Sequence, residues 1–85
     1  MLIGKMSTQV FEKTQKTIED YIGPFLAEII TRKAVSKAGI PKENLTPVDM
    51  EMIVEKYIVP ALIPLMSKEK VQECKRKIEA ELKGG

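Results

Sequence analysis

The chain has 85 residues, of which 44% are hydrophobic and 31% charged, and 14 basic against 12 acidic side chains leave a formal net charge of +2. That balance is globular. It sets aside the disordered class and any whole-chain field strong enough to draw in nucleic acid or a membrane surface. One cysteine and no histidine exclude an internal disulfide framework and remove the usual general acid–base side chain.

The N-terminal stretch MLIGKMSTQVFEK is too short and charged too early for a secretory signal. No apolar run approaches the roughly 20 residues of a membrane span. The longest is Tyr57 to Met66, YIVPALIPLM. A lone cysteine fits a reducing compartment, so a cytoplasmic location is expected. Abundant Lys and Glu with no Trp or His lean towards a thermophilic source. Residues 1–6 are expected as a disordered N-terminus, with 7–85 as one helical domain. A chain this short buries only about 60–65% of the surface its unfolded form exposes. Its core is thin, and a second chain packed on it would help.

Three helix starts share one local grammar, a hydroxyl cap inside a hydrophobic staple. Ser7 has Met6 before it and Phe11 at the fourth helical position. Thr46 has Leu45 and Met50, and Ser67 has Met66 and Val71. After Thr46, Pro47 takes the first helical position, where its missing N–H costs nothing, and Asp49 faces the positive end of the helix dipole.

The first helical region runs from about Thr8 to Ala38. Its apolar positions are Phe11, Ile18, Tyr21, Ile22, Phe25, Leu26, Ile29, Ile30, Ala34 and Val35, a helical stripe. Gly23-Pro24 interrupts it, so the reading is two helices, about 8–22 and 24–38, meeting at a corner. Gly39 can take the left-handed position after the second helix, with Ile40 against Val35 in a Schellman ending and Pro41 barring continuation. Residues 40–45 form a loop.

The third helix is expected over 47–66, with Met50, Ile53, Val54, Tyr57, Ile58, Ala61, Leu62 and Leu65 on its apolar stripe. Pro60 and Pro64 each delete a backbone hydrogen bond, which places a bend near Val59. The last helix, about 68–83, turns Val71, Cys74, Ile78 and Leu82 inward. Glu12/Lys16, Glu28/Arg32, Glu73/Lys77 and Glu79/Lys83 are i, i+4 pairs with the acid N-terminal, the favourable order. No segment alternates as a strand does. The fold expected is all-α, a small array or bundle of four helices.

Few residues suggest chemistry. Glu51 and Glu55 share a helix face near Asp49. Such a pair fits a solvated surface better than a metal site, because carboxylate di-metal bundles draw histidines from Glu-x-x-His motifs and the chain has none. Cys74 has Lys75 and Arg76 beside it, which could lower its pKa, yet it sits on an apolar stripe with no base to activate it. It reads as a buried structural cysteine. No catalytic site, metal or cofactor is expected. Lys70, Lys75, Arg76 and Lys77 make the last helix basic and are the candidate nucleic-acid contacts. Acidic residues interleave with them, and no aromatic ring is present there for stacking.

The segment Tyr57–Met66 is apolar on all sides. Ile58, Leu62 and Leu65 suffice for the chain's own core. Two readings follow: a central helix wrapped by its three neighbours, or an interface made by Tyr57, Val59, Ile63 and Met66, either for self-association as a dimer or higher oligomer or for a helical protein partner. A third possibility is a small-molecule or lipid pocket at the Pro60–Pro64 kink.

The stretch Tyr21 to Ala38, YIGPFLAEIITRKAVSKA, resembles the opening of a small helical domain of unknown function that is appended to prokaryotic signalling proteins, including protein kinases and response regulators. Its hallmark is a Y-[IV]-G-P corner, here Tyr21, Ile22, Gly23 and Pro24. An apolar helix follows and ends in basic and alanine residues, here Arg32, Lys33 and Ala34. Pro60 and Pro64 are not part of that pattern. The resemblance implies an accessory role in signalling and carries over no catalytic residue. The combined expectation is a non-catalytic interaction or oligomerisation module, with an accessory nucleic-acid binder as the alternative.

Overall fold

A computed structural model describes residues 8–84 of the chain. Among the described residues four helices make up the array, as the periodicity predicts: α1 (Gln9–Ile22), α2 (Pro24–Ala38), α3 (47–62) and α4 (Lys68–Gly84). One 3-10 turn, Lys42–Asn44, lies in the loop after α2. Among the described residues there is no strand. The cap expected at Ser7 and the lead at residues 1–6 lie outside the described residues. In the first described turn, the Thr8 carbonyl accepts the Glu12 N–H at 3.0 Å.

Gly23 is the whole connection between α1 and α2. Its N–H closes α1 on the Glu19 carbonyl at 2.9 Å, and its own carbonyl accepts the Ala27 N–H at 3.1 Å to open α2. Its φ of 87° and ψ of 162° lie in a region almost closed to side-chain-bearing residues. Pro24 then supplies a preset φ at the first helical position. At the other end of α2, Gly39 takes φ 76°. Its N–H is shared between the Val35 and Ser36 carbonyls, each at 3.1 Å. This is the simple left-handed ending rather than the expected Schellman form, although Ile40 still packs on the core.

Thr46 caps α3 through a reciprocal box. The Asp49 N–H donates to Thr46 Oγ1 at 3.1 Å, and the Thr46 N–H donates to Asp49 Oδ2 at 3.3 Å. Ser67 caps α4 by accepting the Lys70 N–H at 3.2 Å. Such caps contribute about 1 kcal/mol each.

α3 departs from expectation in two ways. It begins as α-helix over Pro47–Ile53, opens into a π turn over Val54–Ile58 and returns to α-helix over Val59–Leu62. The Val59 N–H reaches back five residues to the Val54 carbonyl. Pro60 explains the widened turn, because its ring would collide with the carbonyl four residues back and it has no N–H to offer there. The extra residue shifts the buried stripe, which runs Met50, Ile53, Val54, Ile58 and Leu62. Tyr57 and Ala61 are left half-buried. The helix also stops at Leu62, not at 66. Pro64 would need a bond to the carbonyl of Pro60 and cannot make one, so the chain turns. The Leu65 and Met66 N–H groups both donate to the Leu62 carbonyl, at 2.9 and 3.1 Å. Leu65, expected in the core, is 48% exposed.

One core joins all four helices. α1 buries Phe11, Thr14, Thr17 and Ile18, and α4 buries Val71, Cys74, Ile78 and Leu82. α2 buries Ala27, Thr31, Ala34 and Val35. The buried threonines satisfy themselves locally: Thr14, Thr17 and Thr31 donate to the carbonyls of Val10, Lys13 and Ala27 at 2.9, 2.9 and 2.7 Å. No buried side-chain polar atom among the described residues lacks a partner.

The Gly23 corner makes a direct test. A Cβ there would meet nothing within 4 Å, so substitution costs backbone strain alone. Gly23→Ala is expected to lose about 1–3 kcal/mol in urea unfolding followed by circular dichroism. An unchanged midpoint would show that the corner does not need glycine.

Candidate functional site

Cys74, Glu55 and Asp49, three of the residues that suggested chemistry, are engaged in structure. Cys74 has no exposed surface. Burial, helped by the charge of Glu73, pushes its thiol up to about 11 from the ordinary 9.0, the reverse of an activated nucleophile. Beside it, the Tyr21 hydroxyl donates to Glu73 Oε2 at 3.0 Å, and the Lys77 ammonium lies 5.8 Å from the Tyr21 ring centre. This ties α1 to α4. Burial and that hydrogen bond to Glu73 raise Tyr21 to about 12. Glu55, half of the acidic pair on α3, is paired with Lys75 of α4 at 2.8 Å. Asp49 is used in the Thr46 cap. Among the described residues no three His, Cys, Asp or Glu side chains gather as a metal set.

The basic side chains of α4 do not share one face. At about 100° per residue, Lys70 and Lys77 fall on one side while Lys75 and Arg76 point elsewhere. Lys75 is committed to Glu55, with its pKa raised by that hydrogen bond, and Lys77 to the Tyr21 ring. Of the i, i+4 pairs on the helix surfaces, Glu28 and Arg32 meet at 3.3 Å. Glu73 is drawn to Tyr21 instead.

The expected interface divides. Ile63 is 56% exposed. Tyr57, Val59 and Met66 are half-buried and pack against the core. Four concavities among the described residues, from about 220 to 360 Å³, are lined by residues outside the Pro60–Pro64 kink.

The larger apolar exposure is on α2, where the sequence stripe placed core. Phe25 is 72% exposed, Leu26 40% and Ile29 36%. The buried side of α2 is instead the row of small residues from Ala27 to Val35. The helix is therefore apolar on two sides. Its outer side changes character along its length. Phe25, Leu26 and Ile29 occupy the first half, and Arg32, Lys33 and Lys37 the second. Ile29, Arg32, Lys33 and Ser36 line a shallow concavity of about 360 Å³. A neighbouring one of about 310 Å³ shares Arg32 and Ser36 and adds Phe11, Ile40 and Lys42. The Lys42 ammonium stands 5.2 Å from the Phe11 ring centre. The signal for this face was legible: seven of the first eight residues of α2 are apolar or small, more than one stripe can hide.

Compared with known protein families, with curated proteins and with solved structures, the chain matches none. No described helix is long and apolar enough to cross a membrane.

Three outcomes check this geometry. Native Cys74 should label with a thiol reagent no faster than the protein unfolds. Its folded pKa lies above the unfolded one, so its contribution to stability is complete below pH 9 and is lost as pH rises towards 11. Cys74→Val should flatten that part of the pH profile. Ile63→Asp should keep the helical signal and melting temperature near wild type, whereas Ile58→Asp, at a position with no exposure, should unfold the chain. Unfolding of the Ile63 variant would place that side chain in the core.

Proposed function

We propose that this protein is a non-catalytic helical interaction module, and that the outer face of α2 is its principal docking surface. The observation that carries the reading is the exposure of Phe25, Leu26 and Ile29 in a row on a helix whose other face is already packed. Large contiguous apolar exposure on a small domain marks a contact site. Aromatic anchors such as Phe25 are the side chains that supply most of the energy at interfaces. Ile63 and Leu65 add a second, smaller apolar exposure in the turn after α3.

A second copy of the chain or a helix of another protein would bury this face equally well on hydrophobic grounds. On the resemblance carried by Tyr21–Ala38, the module would serve as an accessory in prokaryotic signalling, working in the cytoplasm. The Gly23–Pro24 corner of that motif is the element that sets which face α2 turns outward. The nucleic-acid alternative has less support, because Lys75 and Lys77 are engaged and the basic residues of α4 point in different directions.

Site-specific photo-crosslinking in the source cells tests the reading. A benzoylphenylalanine at position 25 should give a discrete adduct heavier than the 9.6 kDa chain, while the same probe at Gln72, exposed on α4, should not. Absence of an adduct from position 25 would remove α2 as a docking surface.

A further inference from the structure

We infer that the occupant of the α2 face is an acidic amphipathic helix of another protein. This rests on the interaction-module reading and goes beyond it by naming the partner's chemistry. Shape alone does not decide. Ile29, Arg32, Lys33 and Ser36 stand at i, i+3, i+4 and i+7, the four-residue hole that receives a side-chain knob from a facing helix. α1 carries a hole of the same spacing, lined by Glu12, Gln15, Lys16 and Glu19. That one is wholly polar. The hole on α2 begins at an apolar residue and continues an apolar surface formed by Phe25 and Leu26. A helix laid along α2 would find apolar anchorage over the first half and a place for its own knob at the centre.

Charge then chooses among helices. Around the second half of α2 and the following loop stand Arg32, Lys33, Lys37 and Lys42, against Glu28 and Glu43. Glu28 is held only by an exposed pair with Arg32, whose side chains keep 50% and 69% of their surface. Such a pair is worth little and is easily exchanged for a new partner. Lys33 and Lys37 are exposed. A second copy docked face to face would bring two such basic ends into one interface. A helix with an apolar stripe and acidic flanks would neutralise them, which is the complementarity that fixes register and excludes wrong partners. Its stripe would cover Phe25 and Ile29, and its acids would meet Lys33, Lys37 and Lys42.

Fluorescence anisotropy with the full chain makes the test. The probe is a labelled synthetic peptide of about 18 residues, which outspans α2 at about 1.5 Å per residue. It has leucines at helical spacing and glutamates on its flanks, and the control carries lysines in place of the glutamates. The acidic peptide should bind about tenfold tighter than the basic one, and the preference should shrink as salt is raised. The double variant Lys33→Glu, Lys37→Glu should abolish the preference, and Phe25→Asp should weaken both peptides, with the helical signal of each variant unchanged. Equal binding of the two peptides would overturn the inference. So would binding to phosphatidylserine vesicles without peptide binding, which would make the partner a membrane surface. A concentration-dependent mass of twice 9.6 kDa that Phe25→Asp returns to the monomer would assign the face to a second copy. An adduct from position 25 alongside a failed peptide experiment would sink this inference and leave the interaction module standing.

Discussion

The rotation of α2 about its own axis is the constraint on which the rest of this molecule depends. Gly23 joins α1 to α2 with no intervening residue, and its backbone angles leave no freedom in how the second helix departs. That departure presents Ala27, Thr31 and Ala34 to the core. Small side chains let helices approach closely, and the hydroxyl of Thr31 costs nothing buried because the Ala27 carbonyl, one turn back, accepts it. The bulky residues Phe25 and Ile29 are then carried to the outside. What looks like a misplaced hydrophobic face follows from a tightly packed inner one.

The prolines act on α3 in a similar manner. Pro60 sits within the helix, and the π turn over Val54–Ile58 is the local cost of keeping it there. The widened turn moves the buried stripe by one residue, so that Ile58 and Leu62 follow Val54 into the core while Tyr57 rides at the edge. Pro64 then ends the helix. Val59 and Met66 stay half-buried at the edge of the core, and Ile63 and Leu65 are left exposed. What this segment exposes is thus decided by backbone hydrogen bonds that prolines cannot make.

The polar groups that could have formed a reactive site are consumed in joining helices. Tyr21 with Glu73 joins α1 to α4, and Glu55 with Lys75 joins α3 to α4. Asp49 closes a cap, and Cys74 is core with its thiol held protonated by burial. On α2 exposed apolar and basic side chains stand side by side, Phe25, Leu26 and Ile29 before Lys33 and Lys37. The proposed docking of a segment of opposite pattern draws on that juxtaposition, through burial and charge together.

Local rules written in the residues settled much of this structure. Thr46 and Ser67 as caps, Gly39 as a helix end, the Gly23–Pro24 corner and the inward row Val71, Cys74, Ile78 and Leu82 each depend on neighbours within a turn or two, and each is legible in the chain. Three features were decided only when the helices packed. Which side of α2 faces inward depends on how closely it approaches its neighbours, and hydrophobicity favoured the wrong half because small residues carry little signal. The π turn depends on Pro60 being held inside a helix whose other contacts keep it continuous; the same prolines alone predict only a bend. The location of the exposed apolar surface follows from both. Burial is a property of pairs of elements, and a single helix, however clear its period, does not specify which of two apolar sides its neighbours will take.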